Sequence, residues 1–239
     1  MLAVWKRELQ AYFYTPIGYV FMGVFLLVGG YYFSFGNLNG SSSDLGMLFS
    51  NLTSLFMLLV PILTMRVLSE ERKNKTDQLL LTSPVSIGAM VLGKFLAACS
   101  VLFITLLPTL FYVVVVSVYS TPYWGEIFTN YLGFFLMGCC YVAIGVLMSS
   151  LSENQVSAAV LTFAVNLFLQ IFEFMGPTLT IPHMSWLPKV FSWLSLYTRY
   201  YDFSAGMLSL ANVMYFISFM GVALFLTVRV IDKRRWSEG

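Results

Sequence analysis

Charge is what this sequence has least of. Among 239 residues there are 13 Lys and Arg, 11 Asp and Glu and one His, so 10% of the chain is charged while 59% is hydrophobic. A water-soluble domain carries about 25% charged residues, so an ordinary soluble fold is excluded and lipid is the solvent. No long polar block interrupts the apolar sequence, which leaves no room for a separate soluble catalytic domain. A net charge of +2 argues against a nucleic-acid partner. His183 stands alone, and Cys99, Cys139 and Cys140 fall inside apolar runs, so no cluster has metal-ligand spacing and no cofactor is expected. Buried thiols of this kind act as small apolar side chains. Paired carboxylates within the apolar runs, which an embedded protease or transferase would need, are missing as well.

A nucleotide site is approached but not completed. "GAMVLGKF", Gly88 to Phe95, follows the phosphate-cradling pattern until Phe95 stands where a magnesium-binding hydroxyl belongs. No strand precedes it. Lys94 is therefore expected to snorkel to the headgroups, and the chain is not itself an ATPase.

What the sequence has is apolar length. Crossing the hydrocarbon takes about 20 residues of helix, and six stretches qualify: Ile17 to Phe35, Met47 to Met65, Val91 to Ser117, Ile127 to Met148, Gln155 to Glu173 and Ala211 to Ile231. Each is expected to be a helix, because a helix satisfies its own backbone groups in lipid. The fold class is thus an all-α membrane protein of a single transmembrane domain, residues 1–239. "NLNGSSSDLG", "STPYWGE" and "SSLSEN" supply the breaks.

Basic residues orient the bundle. With a cytoplasmic N-terminus, the cytoplasmic segments hold Lys6, Arg7, Arg66, Arg72, Lys73, Lys75, Lys94, Arg229, Lys233, Arg234 and Arg235, leaving only Lys189 and Arg199 outside. That asymmetry predicts both termini in the cytoplasm. A cleaved signal peptide does not fit, since the first apolar run is too long and lacks a small-residue cleavage site.

The densest charge lies in "MRVLSEERKNKTDQLLLTSPVS", Met65 to Ser86, between the second and third spans. Its bland reading is a solvated linker. Its interior argues for more: Thr76 or Asp77 can cap a short helix carrying Leu79, Leu80 and Leu81, and Ser83-Pro84 ends it. That leucine face needs a cover. Ahead of the first span, Trp5, Leu9, Tyr12 and Phe13 recur at helical spacing opposite Lys6, Arg7, Glu8 and Gln10, which predicts an amphipathic interfacial helix over residues 1–15.

In the fifth span Thr162, Asn166, Gln170 and Glu173 are spaced by four, four and three residues and share one helix face. Polar groups turned to lipid are costly, so this face meets protein or water. Helix–helix hydrogen bonding and a water-lined pathway both satisfy it. Asn51 and Ser54 on the second span are candidates for the facing polar groups.

"EERKNKTDQLLLTSPVS" at Glu70 to Ser86, "LGKFLA" at Leu92 to Ala97, "YTPIGYV" at the first span, "GMLSLANVMYF" entering the last and "DKRRW" at Asp232 to Trp236 resemble bacterial type-2 ABC exporter permeases. The closest resemblance is to permeases of gliding-motility-type ABC transporters. It implies that the loop after the second span holds a coupling helix docking on an ATPase subunit, with Glu70, Glu71, Arg72, Thr76, Leu79, Leu80, Trp5 and Arg7 at the contact. It further implies a dimer with a second permease copy or paralogue, room for an auxiliary membrane protein, and a bacterial inner-membrane location. The second and fifth spans then border the pathway, through Asn51, Ser54, Thr162, Asn166, Gln170 and Glu173. Phe174 to Met207, broken by three prolines and rich in aromatics, reads as short extracellular or re-entrant helices in the headgroup zone. An ATP-independent channel or secondary carrier is the alternative, but more buried ionisable groups or interrupted helices would be expected of it.

Overall fold

The computed structural model describes residues 1–40, 42–73, 86–178, 193 and 195–237, with the side chains of 172–178 and 234–237 outside that description. Among the described residues every regular element is helical. α1 is Leu2–Tyr14, and α2, Pro16–Tyr32, runs on as a π-helical turn over Phe33–Leu38. The second span is assembled from α3 (Leu45–Leu52), a 3-10 turn (Thr53–Leu55), α4 (Phe56–Thr64) and α5 (Ser69–Lys73). The third is α6 (Ile87–Leu106) followed by α7 (Leu110–Tyr119). Then come α8 (Trp124–Leu151), α9 (Gln155–Thr178), the short α10 (Leu196–Ser204) and α11 (Leu210–Ser237).

Local chemistry sets these boundaries. Asp44 caps α3 by accepting the Gly46 amide at 2.6 Å, Ser86 caps α6 through the Ala89 amide, and Ser195 caps α10 through that of Thr198. Pro16 occupies the first helical position of α2, where its missing N–H costs nothing. Pro108 between α6 and α7 removes a donor from the helical ladder, which segments the third span, whereas α4 continues through Pro61 and the second span is interrupted at Thr53–Leu55 and again at 65–68. Gly206, at φ 78°, takes the left-handed conformation that ends α10.

Among the described residues five helical stretches are long and apolar enough to cross a membrane: Pro16–Leu38, Leu45–Lys73, Ile87–Tyr119, Trp124–Leu151 and Leu210–Lys233. α9 is apolar over Gln155–Ile171. The second stretch runs beyond the expected Met65 to Lys73, where Arg66, Glu71 and Arg72 find partners on other segments and Glu70 pairs with Arg66. The expected turn from Asn37 starts later: helix persists to Leu38, and the buried Asn37 amide ties the connection down by donating to Ser42 O and Asp44 O, both at 2.9 Å.

α8 is the axis of the bundle. It packs against α3, α4, α6, α9, α10 and α11, and 72% of its apolar window is buried, against 17% for α11. Phe134 of α8 is fully buried, with Phe56 at 4.6 Å, Phe49 at 5.1 Å and Phe25 at 5.9 Å between ring centroids. Such pairs add about 0.5–1.5 kcal/mol each beyond area burial, and they gather α2, α3 and α4 onto α8. Close approach also needs small residues, as is usual between helices in lipid. A Cβ at Gly138 would sit 2.5 Å from Leu102, and one at Gly145 would collide with Thr64.

Candidate functional site

At one end of the bundle a lysine is buried among acids. Lys94 of α6 is 1% exposed, and its ammonium donates to Glu71 Oε1 at 2.8 Å, Val67 O at 2.8 Å and Glu8 Oε1 at 3.2 Å. An ammonium has three N–H donors, so all are used. This corrects the expectation that Lys94 snorkels outward: two carboxylates and a carbonyl neutralise it in place, which removes the reason to reach for headgroups. Arg7 closes the group by bonding Glu8 at 2.8 Å and Glu71 at 3.3 Å. Two cations and two anions thus join α1, α5 and α6.

The same end is stitched further. Tyr12 donates to Leu63 O at 3.0 Å, Arg66 donates to Thr15 Oγ1 at 2.9 Å and pairs with Glu70 at 2.9 Å, and the Ser149 hydroxyl of α8 accepts the Leu68 and Ser69 amides at 3.1 and 3.2 Å. Arg72 pairs with Glu153 beyond the end of α8. All of this lies directly before residue 74.

Burial alone would raise the Glu8 carboxyl. The Lys94 charge and the hydrogen bonds from Arg7 and Lys94 outweigh it and hold Glu8 below the ordinary range. A depressed folded value stabilises the fold above the unfolded pKa, and that stabilisation is lost as pH falls through the folded one. Glu8→Gln is therefore expected to lower the melting temperature of the detergent-solubilised protein at pH 7. The gap to wild type should close as pH drops below about 4.3. A gap unchanged in acid would show that Glu8 contributes no charge interaction.

The docking residues read from the sequence separate into four groups. Arg7 and Glu71 share the Lys94 junction, while Glu70 and Arg72 hold separate pairs beside it. Trp5 is turned inward, its indole donating to Ser100 Oγ at 3.0 Å, so it fixes α1 on α6 instead of facing outward. Thr76, Leu79 and Leu80 lie outside the described residues, as does the short helix they were expected to form. Sequence reasoning missed Lys94, Glu8, Glu153 and Ser149. The signal for Lys94 was available: a lysine with apolar neighbours on both sides needs a carboxylate within reach, and Glu8 and Glu71 are acids at that end, the second already assigned to docking.

The polar stripe divides as well. Thr162 and Asn166 are fully buried on the face of α9 turned to α4 and α8, and Gln170 is half-buried. The Thr162 hydroxyl returns to Ala158 O at 2.7 Å, whereas neither polar atom of the Asn166 amide has a hydrogen-bond partner. The side chain of Glu173 lies outside the described residues. Asn51 and Ser54 are exposed, with the Ser54 hydroxyl bonded to Asn51 O. The structure thus places Thr162 and Asn166 as a buried pair on α9, with Gln170 half-buried beyond them, and Asn51 and Ser54 as an exposed pair on the second span.

No group of three or more His, Cys, Asp or Glu able to hold a metal occurs among the described residues. No curated protein matches the chain. Residues 45–219, from the start of α3 into α11, match the family model described as ABC-2 family transporter protein; the chain belongs to that family, as a multi-pass transmembrane permease of an ABC transporter.

Proposed function

We propose that the chain is the pathway-forming subunit of an ATP-driven exporter of the gliding-motility type. ABC-2 permeases normally work with ATPase subunits. In this reading two such subunits dock on the end of the bundle that carries the Lys94 junction, and a second permease copy or paralogue completes the pathway. α9, Gln155–Thr178, is the sixth span. Both termini are cytoplasmic, the membrane is the bacterial inner membrane, and α1 lies along its interface.

The observation that carries the docking reading is the junction itself. It anchors both α1 and α5 to α6 immediately before residues 74–85, the segment expected to hold the coupling helix. Movement imposed there would reach the bundle through Glu71 and Lys94 rather than being lost in a slack loop. Trp5 and Glu71 then support the docking surface from inside, and Arg7, 56% exposed at its side chain, stands at its edge.

Leu79→Asp with Leu80→Asp tests this. The pair should reduce co-purification of the ATPase subunit about tenfold or more, as loss of an apolar anchor does, while membrane insertion stays normal. Unchanged ATPase retention, with transport intact, would remove the docking role from this loop.

Asn166 and Thr162 belong to the pathway in this reading, which is closed in the conformation described. Their burial fits a closed pathway, and the unbonded amide supplies a reason for it to open.

A further inference from the structure

Arg199 is the one charged side chain among the described residues with a buried, unpartnered donor. It projects from α10, which packs on α3, α8, α9 and α11 at the end opposite the Lys94 junction. Its Nη1 donates to Asn212 Oδ1 at 3.3 Å, and its guanidinium carbon lies 5.3 Å from the centre of the Tyr215 ring. Its Nε is buried without an acceptor, and no carboxylate among the described residues pairs with it. Asp202, the nearest acid in sequence, is engaged by the Asn212 amide at 2.6 Å.

That pattern is incomplete in one direction only. Asn212 holds one edge of the guanidinium and Tyr215 covers a face, so the plane is oriented. The remaining edge, formed by Nε–H and the second Nη, is the fork that donates side by side to two oxygens of a phosphate or carboxylate. Arg199 as a whole is half-buried, but its Nε–H is buried with its acceptor position empty, which is costly. The surroundings state what would fill it. Arg199 sits beside the first turns of α11, a membrane-crossing helix, with Trp193 against Tyr215 at 6.1 Å and Tyr201 61% exposed. Aromatic side chains gathered at a span end mark headgroup depth, where the abundant anionic oxygens are phosphoryl.

We propose that Arg199, oriented by Asn212 and Tyr215, is a binding site for a phosphoryl group at headgroup level. The ligand is a phospholipid headgroup or a free phosphate, both recognised through the same fork. Only the membrane-spanning architecture is needed for this, so it does not depend on docking or transport.

The test uses the full-length permease with whatever subunits co-purify, read by native mass spectrometry. The probes are phosphatidylglycerol, an uncharged glycosyl diacylglycerol with the same acyl chains, and inorganic phosphate alone. Wild type should retain phosphatidylglycerol over the glycolipid about tenfold or more, the scale of a charged hydrogen-bonded contact. Arg199→Gln should bring that ratio near one. Arg199→Lys, which keeps the charge and loses the fork, should lose most of the preference while preserving helix content by circular dichroism. Displacement of the lipid by millimolar inorganic phosphate would assign the site to free phosphate, and no displacement would assign it to lipid. Equal retention of both lipids by wild type, or an unchanged preference in either variant, overturns the proposal.

Discussion

Lys94→Met should destabilise the protein by about 3–5 kcal/mol, the cost of removing one partner from a buried ionic group. The variant leaves the Glu8 and Glu71 carboxylates facing each other with only the half-exposed Arg7 to compensate them. α1 would lose its tie to α6 through Lys94, so cleavage of residues 1–15 by added protease should be faster than in wild type. The triple variant Lys94→Met, Glu8→Gln, Glu71→Gln distinguishes charge from packing. With only the half-exposed Arg7 left as an ion in the junction, stability should return to near the wild-type level, because neutral side chains of similar size often replace a buried ion group without loss. Arg7 would then be solvated where it stands. A Lys94→Met protein that melts as wild type does and whose α1 is cleaved no faster would remove the junction from the account. In the proposed transporter the triple variant carries further information: it folds, yet ATP hydrolysis should be uncoupled from transport, since α5 is no longer tied to α6.

The apolar stretches and the amphipathic N-terminal segment were legible because each is a local pattern. Trp5, Leu9 and Tyr12 stand at spacings that only a helix brings to one side, and the apolar runs exceed the length a buried soluble helix needs. The Lys94 junction was not legible in the same way. Its members are separated by 86 and 23 positions, and no periodicity relates them; only a charge balance made across helices would have paired Lys94 with Glu8 and Glu71. Arg199 was likewise counted as one of two basic residues on the far side, and its aromatic neighbours were read as anchors. The stripe on α9 was found by spacing alone. Spacing puts Thr162 and Asn166 on one face, but it does not say whether that face meets water or a neighbouring helix, because both relieve the same cost of polar groups in lipid.

Asn166 separates those two outcomes, and its unbonded amide gives the test a sign. An ordinary interhelical hydrogen bond in a membrane contributes about 0.6 kcal/mol on average, so removing one destabilises slightly. Here neither amide atom is bonded, and an unsatisfied buried polar group costs about 1–3 kcal/mol. Asn166→Leu is therefore expected to stabilise the closed conformation by about that amount, raising the melting temperature. If α9 turns this face to water during the cycle, the substitution also withdraws the hydration that favours the open state. Transport should then fall about tenfold or more while the complex still assembles. Cysteine at Asn166 or Gln170 should react with small water-soluble thiol reagents in one nucleotide state of the partner ATPase and be protected in the other. Cysteine at Leu167 or Phe168 should stay protected in both: these positions are exposed on the chain itself, but in the proposed transporter their apolar face is covered by lipid or the second permease. Protection at Asn166 and Gln170 in every state, with Asn166→Leu transporting normally, would leave Asn166 as a packing residue and move the pathway away from α9.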